Sequence, residues 1–322
     1  MALIAGAAVA VVLALAGCAR HDGATALRCP SKSPRPPAAT QADGLHGEIV
    51  WASDRGGSGD LYALSLETLR LRRLTRLPGN ELVPTWSPDG DRIAFLSLRG
   101  DDFADPSAIF MMNADGSGVR ALTAPERETG GLAWSPDGAR LAFAQAGDIY
   151  VMSADGANRR RITSGAASDD WPSWSPSNRI LFTSTRGGDQ QLWTMNPDGS
   201  SVRRLSSAVG GEGTWSPTAT QVAFASARDG APDAPDPLDW NEEIYLTGAD
   251  GRAVKRLTHI PGNDHWPPSW SPTGDRLAFT SDGCSQRDAD VYITDLSGSR
   301  IVNVTHHPSW DLFPAWRPTR GR

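Results

Sequence analysis

The chain has 322 residues, 39% of them hydrophobic, with 33 glycines, 24 prolines and a formal net charge of −6. So much turn chemistry argues against a helical protein. Acidic and basic residues are interspersed without a basic block or stripe, which removes the electrostatic footprint of nucleic-acid binding.

In chain order, the first 18 residues differ in kind from the rest. Met1 to Gly17 is almost wholly Ala, Val, Leu, Ile and Gly, and Cys18 follows directly. A short apolar run ending in small residues reads as an export signal rather than a core element. Leu15-Ala16-Gly17-Cys18 resembles the lipobox of bacterial lipoproteins. That resemblance implies a diacylglyceryl group on Cys18 and cleavage before it, giving stable anchoring through two or more acyl chains. An uncleaved membrane anchor is the alternative. Residues 19–44 place Pro30, Pro34, Pro36 and Pro37 among Ser, Ala and Thr, and are expected to form a disordered tether. Cys29 lies in this stretch and Cys284 far downstream; outside the cytoplasm they either pair or remain free thiols.

A repeat occupies residues 45–322. Trp-Ser-Pro recurs at Trp86, Trp134, Trp174, Trp215 and Trp270, and Trp316-Arg317-Pro318 is a sixth, altered copy, at spacings of 48, 40, 41, 55 and 46 residues. Periods in the forties suit four-stranded propeller blades. In the second full unit Ala133-Trp134 is a first strand and Ser135-Pro136-Asp137-Gly138 a turn. Leu141–Ala144, Ile149–Met152 and Arg161-Ile162-Thr163 follow as further strands, with Ala154-Asp155-Gly156 turning the chain between the last two. Nothing in the unit has the length or 3.6-residue period of a helix. The stretch after residue 44 lacks a first strand but has the other three, at Glu48–Trp51, Leu61–Leu64 and Arg73–Thr75. The C-terminus has only a first strand, at Trp316. The two fragments complement each other, so the sequence predicts an all-β, six-bladed propeller closed by a blade shared between the termini.

Strand direction assigns the faces. Tight Ser-Pro-Asp-Gly and Asp-Gly turns occupy one face; the variable loops between second and third strands, and between fourth and first strands, occupy the other. Variable loops are where binding sites tend to lie. Residues 229–243 form the longest insertion and include Trp240, an aromatic contact candidate. The approach to each repeat Trp carries Glu81, Glu128, Asp169, Asp170, Glu212, Asp264 and Asp311. Preceding the innermost strands, they could converge at the channel mouth as a ligand-binding ring, or each could cap its own loop. His259, His265, His306 and His307 fall on the same face and are the candidate metal ligands. No Gly-x-Ser-x-Gly elbow, phosphate loop or dinucleotide fingerprint occurs, so no cofactor is expected beyond such a metal.

The recurring pattern Pro-x-Trp-Ser-Pro-Asp-Gly, Ile-Ala-Phe, Ile-Tyr-Val-Met, Asp-Gly, Arg-Arg-Leu-Thr resembles the TolB-type propeller repeat of bacterial exported proteins. The resemblance implies a six-bladed ring with a central channel, and the family's namesake is a periplasmic protein-binding partner. The resulting expectation is a monomeric extracytoplasmic scaffold, lipid-anchored to the cell membrane, that binds an envelope protein, peptide or glycan and no nucleic acid. The alternatives are a metal-dependent carbohydrate lyase or hydrolase using the channel-face histidines, and a structural spacer of an envelope complex.

Overall fold

Each blade is written by the same local chemistry. In the Trp-Ser-Pro-Asp-Gly turns the serine hydroxyl accepts the backbone N–H of the arginine that opens the next strand, as Ser87 does from Arg92 and Ser135 from Arg140. The turn aspartate holds the intervening amide, as Asp89 does for Asp91. These bonds fix a hairpin before any long-range contact forms.

The computed structural model describes residues 44–100, 105–228, 242–259, 267–282 and 289–319. Among them are 24 strands in six four-stranded antiparallel sheets and no helix. The N-terminal strands are β1 (Glu48–Ser53), β2 (Asp60–Ser65) and β3 (Leu71–Arg73). Blade 1 comprises β4 (Asn80–Trp86), β5 (Arg92–Leu98), β6 (Ser107–Asn113) and β7 (Arg120–Ala121). Blade 2 comprises β8 (Thr129–Trp134), β9 (Arg140–Gln145), β10 (Asp148–Ser153) and β11 (Arg160–Arg161). Blade 3 comprises β12 (Asp169–Trp174), β13 (Ile180–Gly187), β14 (Asp189–Met195) and β15 (Arg203–Val209). Blade 4 comprises β16 (Gly211–Trp215), β17 (Gln221–Ser226), β18 (Glu243–Gly248) and β19 (Lys255–Arg256). Blade 5 comprises β20 (Ser269–Trp270), β21 (Arg276–Ser281), β22 (Asp290–Asp295) and β23 (Ile301–Asn303). The last strand, β24 (Asp311–Trp316), joins β1, β2 and β3 as blade 6 in the order β24-β1-β2-β3.

That closure is the one the sequence predicts. Ile49 pairs with Trp316, Val50 with Ala315, Ala52 with Leu312 and Ser53 with Asp311. Strands β4, β8, β12, β16, β20 and β24 are the inner strands and contact one another around the ring. Second strands are buried almost end to end, because each blade is sandwiched between two others; Ala94, Ala142, Ala223 and Ala278 are fully buried. That explains why Ile-Ala-Phe and its variants read as continuous apolar runs rather than alternating ones. The repeat tryptophans join blades. Trp86, Trp134 and Trp270 donate their indole N–H to the carbonyls of Ala315, Thr85 and Thr214 in the preceding blade. Arg317, Arg92 and Arg140 lie 4.8–4.9 Å over the rings of Trp86, Trp134 and Trp174. The Asp-Gly turns dock between blades: Gly116, at φ 88°, sits where a Cβ would lie 2.8 Å from the Leu74 carbonyl oxygen, so both conformation and space demand glycine there.

Candidate functional site

Counted back from the repeat Trp, Glu81, Asp169 and Asp311 occupy one position, five residues before it. Asp169 and Asp311 are buried and each is held by an arginine from its own blade, at 2.5 Å for Arg186–Asp169 and 2.6 Å for Arg55–Asp311. Ser184 donates to Asp169 as well. Arg55 lies over Trp51 and Tyr62, and Arg186 over Phe182 and Trp193. Each carboxylate therefore ties the inner strand to the end of the second, so these two side chains serve their own blades rather than meeting in a ring. Both arginines stand in a Ser-x-Arg at the end of the second strand, Ser53–Arg55 and Ser184–Arg186; the same motif at Ser97–Arg99 and Ser226–Arg228 has no aspartate at the matching inner-strand position.

A second acidic set has an equally local role. Asp60, Glu243 and Asp290 open third strands and accept bonds from Thr75, Thr258 and Thr305, while the same threonine hydroxyls accept the N–H of the following residue in the third strand. Arg73 pairs with Asp60 at 2.5 Å, and Arg161 with Asp148 at 2.5 Å. The Arg-x-Thr that ends the fourth strands of blades 2, 4 and 6, at Arg161–Thr163, Arg256–Thr258 and Arg73–Thr75, is thus a clamp on the third.

Glu81 is different. It is fully buried, and its Oε1 accepts a bond from Ser97 at 3.3 Å. Burial pushes its carboxyl up to about 7, with the Asp60 charge acting in the same direction. A folded-state value above the unfolded one means the folded chain binds the extra proton between the two. The resulting stabilisation is complete below about pH 4.5 and is lost as pH rises to about 7, a change of roughly 3 kcal/mol. Chemical denaturation of Glu81→Gln from pH 4.5 to 8 is expected to show a flatter profile than wild type; parallel profiles would reject the assignment.

Three residues before five of the six repeat Trp residues the inner strand bulges; before Trp270 that position is Pro267 and the strand is regular. Val83, Gly131, Trp171, Glu212 and Phe313 all have φ between 41° and 57° there, beside register shifts in the pairing with the second strand. A bulge re-aims its side chain, and for Trp171 and Phe313 the direction is the channel axis. Trp171 of blade 3 stacks on Phe313 of the opposite blade 6, with ring centroids 5.9 Å apart. The axis is thus crossed by an aromatic pair. Asp170, next to this pair, accepts the Trp171 backbone N–H at 2.7 Å, and enclosure within the ring pushes its carboxyl up to about 6. Glu128 is exposed.

A cleft of about 490 Å³ opens on the loop face between blades 6 and 1. Leu77, Leu82, Leu98, Leu312 and Trp310 supply its apolar surface, and Asp54, Ser58, Asn80 and Arg99 its polar groups. Asn80 fixes the rims: its Oδ1 accepts Gly59 N–H at 2.7 Å and its Nδ2 donates to the Gly100 carbonyl at 2.9 Å. The Trp310 backbone N–H donates to Asp54 at 3.2 Å. A Cβ on Gly59 would lie 2.9 Å from Asn80 Oδ1 and 3.1 Å from the Trp310 ring, so glycine lets the loop close against both. Reading the sequence for carboxylates missed this cleft; Leu-Pro-Gly-Asn between the fourth and first strands was its signal.

His259 and His306 are exposed on the loop face, and the His307 backbone N–H donates to Asp290. Among the described residues no three His, Cys, Asp or Glu side chains group as metal ligands. Cys18, Cys29, Trp240, Asp264, His265 and Cys284 lie outside the described residues.

The TolB beta propeller domain model matches residues 126–231. An uncharacterized protein of Agrobacterium fabrum is 29% identical over 200 residues, which span 60% of this chain and 52% of that protein. The Tol-Pal system protein TolB of Francisella tularensis subsp. mediasiatica is 33% identical over 75 residues, 23% of this chain and 17% of that protein. The chain thus spans about half the length of the first relative and less of the second. The crystal structure of TolB from Acinetobacter baumannii superposes with a TM-score of 0.71 at 20% identity, covering 85% of this chain and 67% of that one, a likeness of fold.

Proposed function

The chain is a TolB-type β-propeller, and on that premise we propose that it is an extracytoplasmic scaffold that binds a peptide segment of an envelope protein in the cleft between blades 6 and 1. The observation that carries this reading is the cleft itself: an apolar floor with Trp310 at one side and a polar rim already organised by Asn80. A concave apolar surface with a few oriented polar groups suits a short protein segment, and a pre-set rim lowers the ordering cost of binding.

The same reading includes lipidation at Cys18 and a tether over residues 19–44. Gly44 and β1 enter on the turn face, opposite the cleft, so an anchor upstream leaves the cleft on the face away from the attachment point. Replacing Cys18 with Ser is expected to abolish labelling by a lipid precursor.

A photoreactive residue at position 77 identifies the partner by crosslinking, and a synthetic peptide covering the crosslinked segment then measures affinity. Trp310→Ala is expected to weaken that peptide at least about tenfold, the scale of an aromatic anchor. An affinity equal to wild type, or crosslinks spread evenly over the ring, would remove the cleft from consideration.

A further inference from the structure

On the turn face an open pocket of about 580 Å³ lies between blades 2 and 3, lined among others by Arg140, Arg160, Arg179, Ser177, Asn196 and Asp198. The repeat is broken here. Arg92 and Arg140, which open the second strands of blades 1 and 2, cover the repeat Trp of the following blade. Arg179 directly precedes the second strand of blade 3, after a turn one residue shorter, and it folds back onto its own blade. It donates to Asn196 Oδ1 at 3.0 Å and to Thr194 Oγ1 and the Ser201 carbonyl, both at 3.3 Å. Arg203 donates from Nε to the same Thr194 hydroxyl at 3.3 Å. Two guanidinium groups thus share one neutral acceptor, and among the described residues neither has an ion-pair partner. Arg179 Nε is buried without a hydrogen-bond partner. Burial and the neighbouring Arg203 both disfavour the charge on Arg179, so the site is short of negative charge.

Arg160 reaches the pocket from β11 and donates to the Pro197 carbonyl at 3.4 Å. One carboxylate, Asp198, stands against the three lining guanidiniums; bonds from Ser200, with Arg160 contributing, hold it below the usual carboxylate range. The remaining excess of two positive charges suits an oxyanion, singly or doubly charged. Guanidinium forks suit the tetrahedral oxygens of a phosphoryl group. We propose that this turn-face pocket binds a phosphoryl group, with Arg160 and Arg179 as its principal donors. The group is carried either by a free phosphate ester or by an anionic lipid headgroup, two sources of one chemistry.

Calorimetric titration of the purified chain with inorganic phosphate at low ionic strength tests the pocket, alongside flotation with phosphatidylcholine vesicles with and without phosphatidylglycerol. A single saturable phosphate site is expected, weakened at least about tenfold in Arg160→Gln and in Arg179→Gln. Arg120→Gln, a substitution of an exposed arginine on the same face of blade 1, should leave it unchanged. Arg160 is also exposed, so its replacement keeps the test valid if Arg179→Gln fails to fold. Flotation that needs phosphatidylglycerol and is lost in Arg160→Gln assigns the site to a lipid headgroup; phosphate binding without flotation assigns it to a free ester. Absence of saturable binding to either probe, or an Arg160→Gln affinity equal to wild type, overturns the proposal. Neither outcome bears on the loop-face cleft.

Discussion

Deleting residues 311–322 is expected to leave a chain that does not reach the native state. The deletion removes β24, which pairs with β1 through Ile49–Trp316, Val50–Ala315, Ala52–Leu312 and Ser53–Asp311. It also removes the inner strand that lies between β20 and β4. Leu312, Phe313 and Trp316 are each at most 5% exposed. Truncating three such side chains costs about 10 kcal/mol together, on the scale of the whole stability of a typical domain. The Trp316 indole bond to the His46 carbonyl and the Trp86 bond to Ala315 go with them. Opening the ring further exposes β1 as an unpaired edge, which favours aggregation. The readout is near-UV circular dichroism with limited proteolysis of the soluble fraction. A control ending at Arg317 keeps every one of these contacts and should fold. A truncated chain with a sharp thermal transition close to that of the control would refute the closed ring as the source of stability.

Asp311→Ala is expected to cost about 3–5 kcal/mol, because it leaves Arg55 as a buried cation without its carboxylate. The Asp311 side chain is wholly buried and that of Arg55 is 11% exposed, with 2.6 Å between them. Arg55 cannot readily turn outward, since its guanidinium is packed against Trp51 and Tyr62 and its Nε donates to Ser53. For a chain of this size the melting temperature should fall by roughly 10 °C. Replacing both partners, Arg55→Met with Asp311→Leu, should recover most of that loss, because no buried charge is left uncompensated. The double-mutant cycle measures the coupling directly. A single-mutant cost below about 1 kcal/mol would mean that the pair behaves as a solvated surface bridge, contrary to its burial.

Much of the scaffold was legible from residue order. The Trp-Ser-Pro-Asp-Gly turns, the Ile-Ala-Phe second strands and the paired terminal fragments each rest on chemistry acting over a few residues. The site was less legible. Glu81, Asp169 and Asp311 share one offset from the repeat Trp, yet Asp169 and Asp311 are closed by arginines while Glu81 is left with a raised proton affinity. Their common position was visible; their partners, on other strands, were not. The cleft between blades 6 and 1 was missed for a related reason: it joins Asn80 to Gly59 and Gly100, about 20 residues away on either side.

By itself the sequence determined the module, its number and the need for the two ends to share a sheet, because turn chemistry and strand periodicity are local and repeat in phase. Tertiary structure alone decided what stands on the axis. The bulge three residues before five of the six repeat Trp residues holds Val83, Trp171, Glu212 and Phe313, and which of them meet depends on blades lying opposite in the closed ring. Trp171 and Phe313 are 142 residues apart in the chain and stack only because closure brings blades 3 and 6 face to face across the channel.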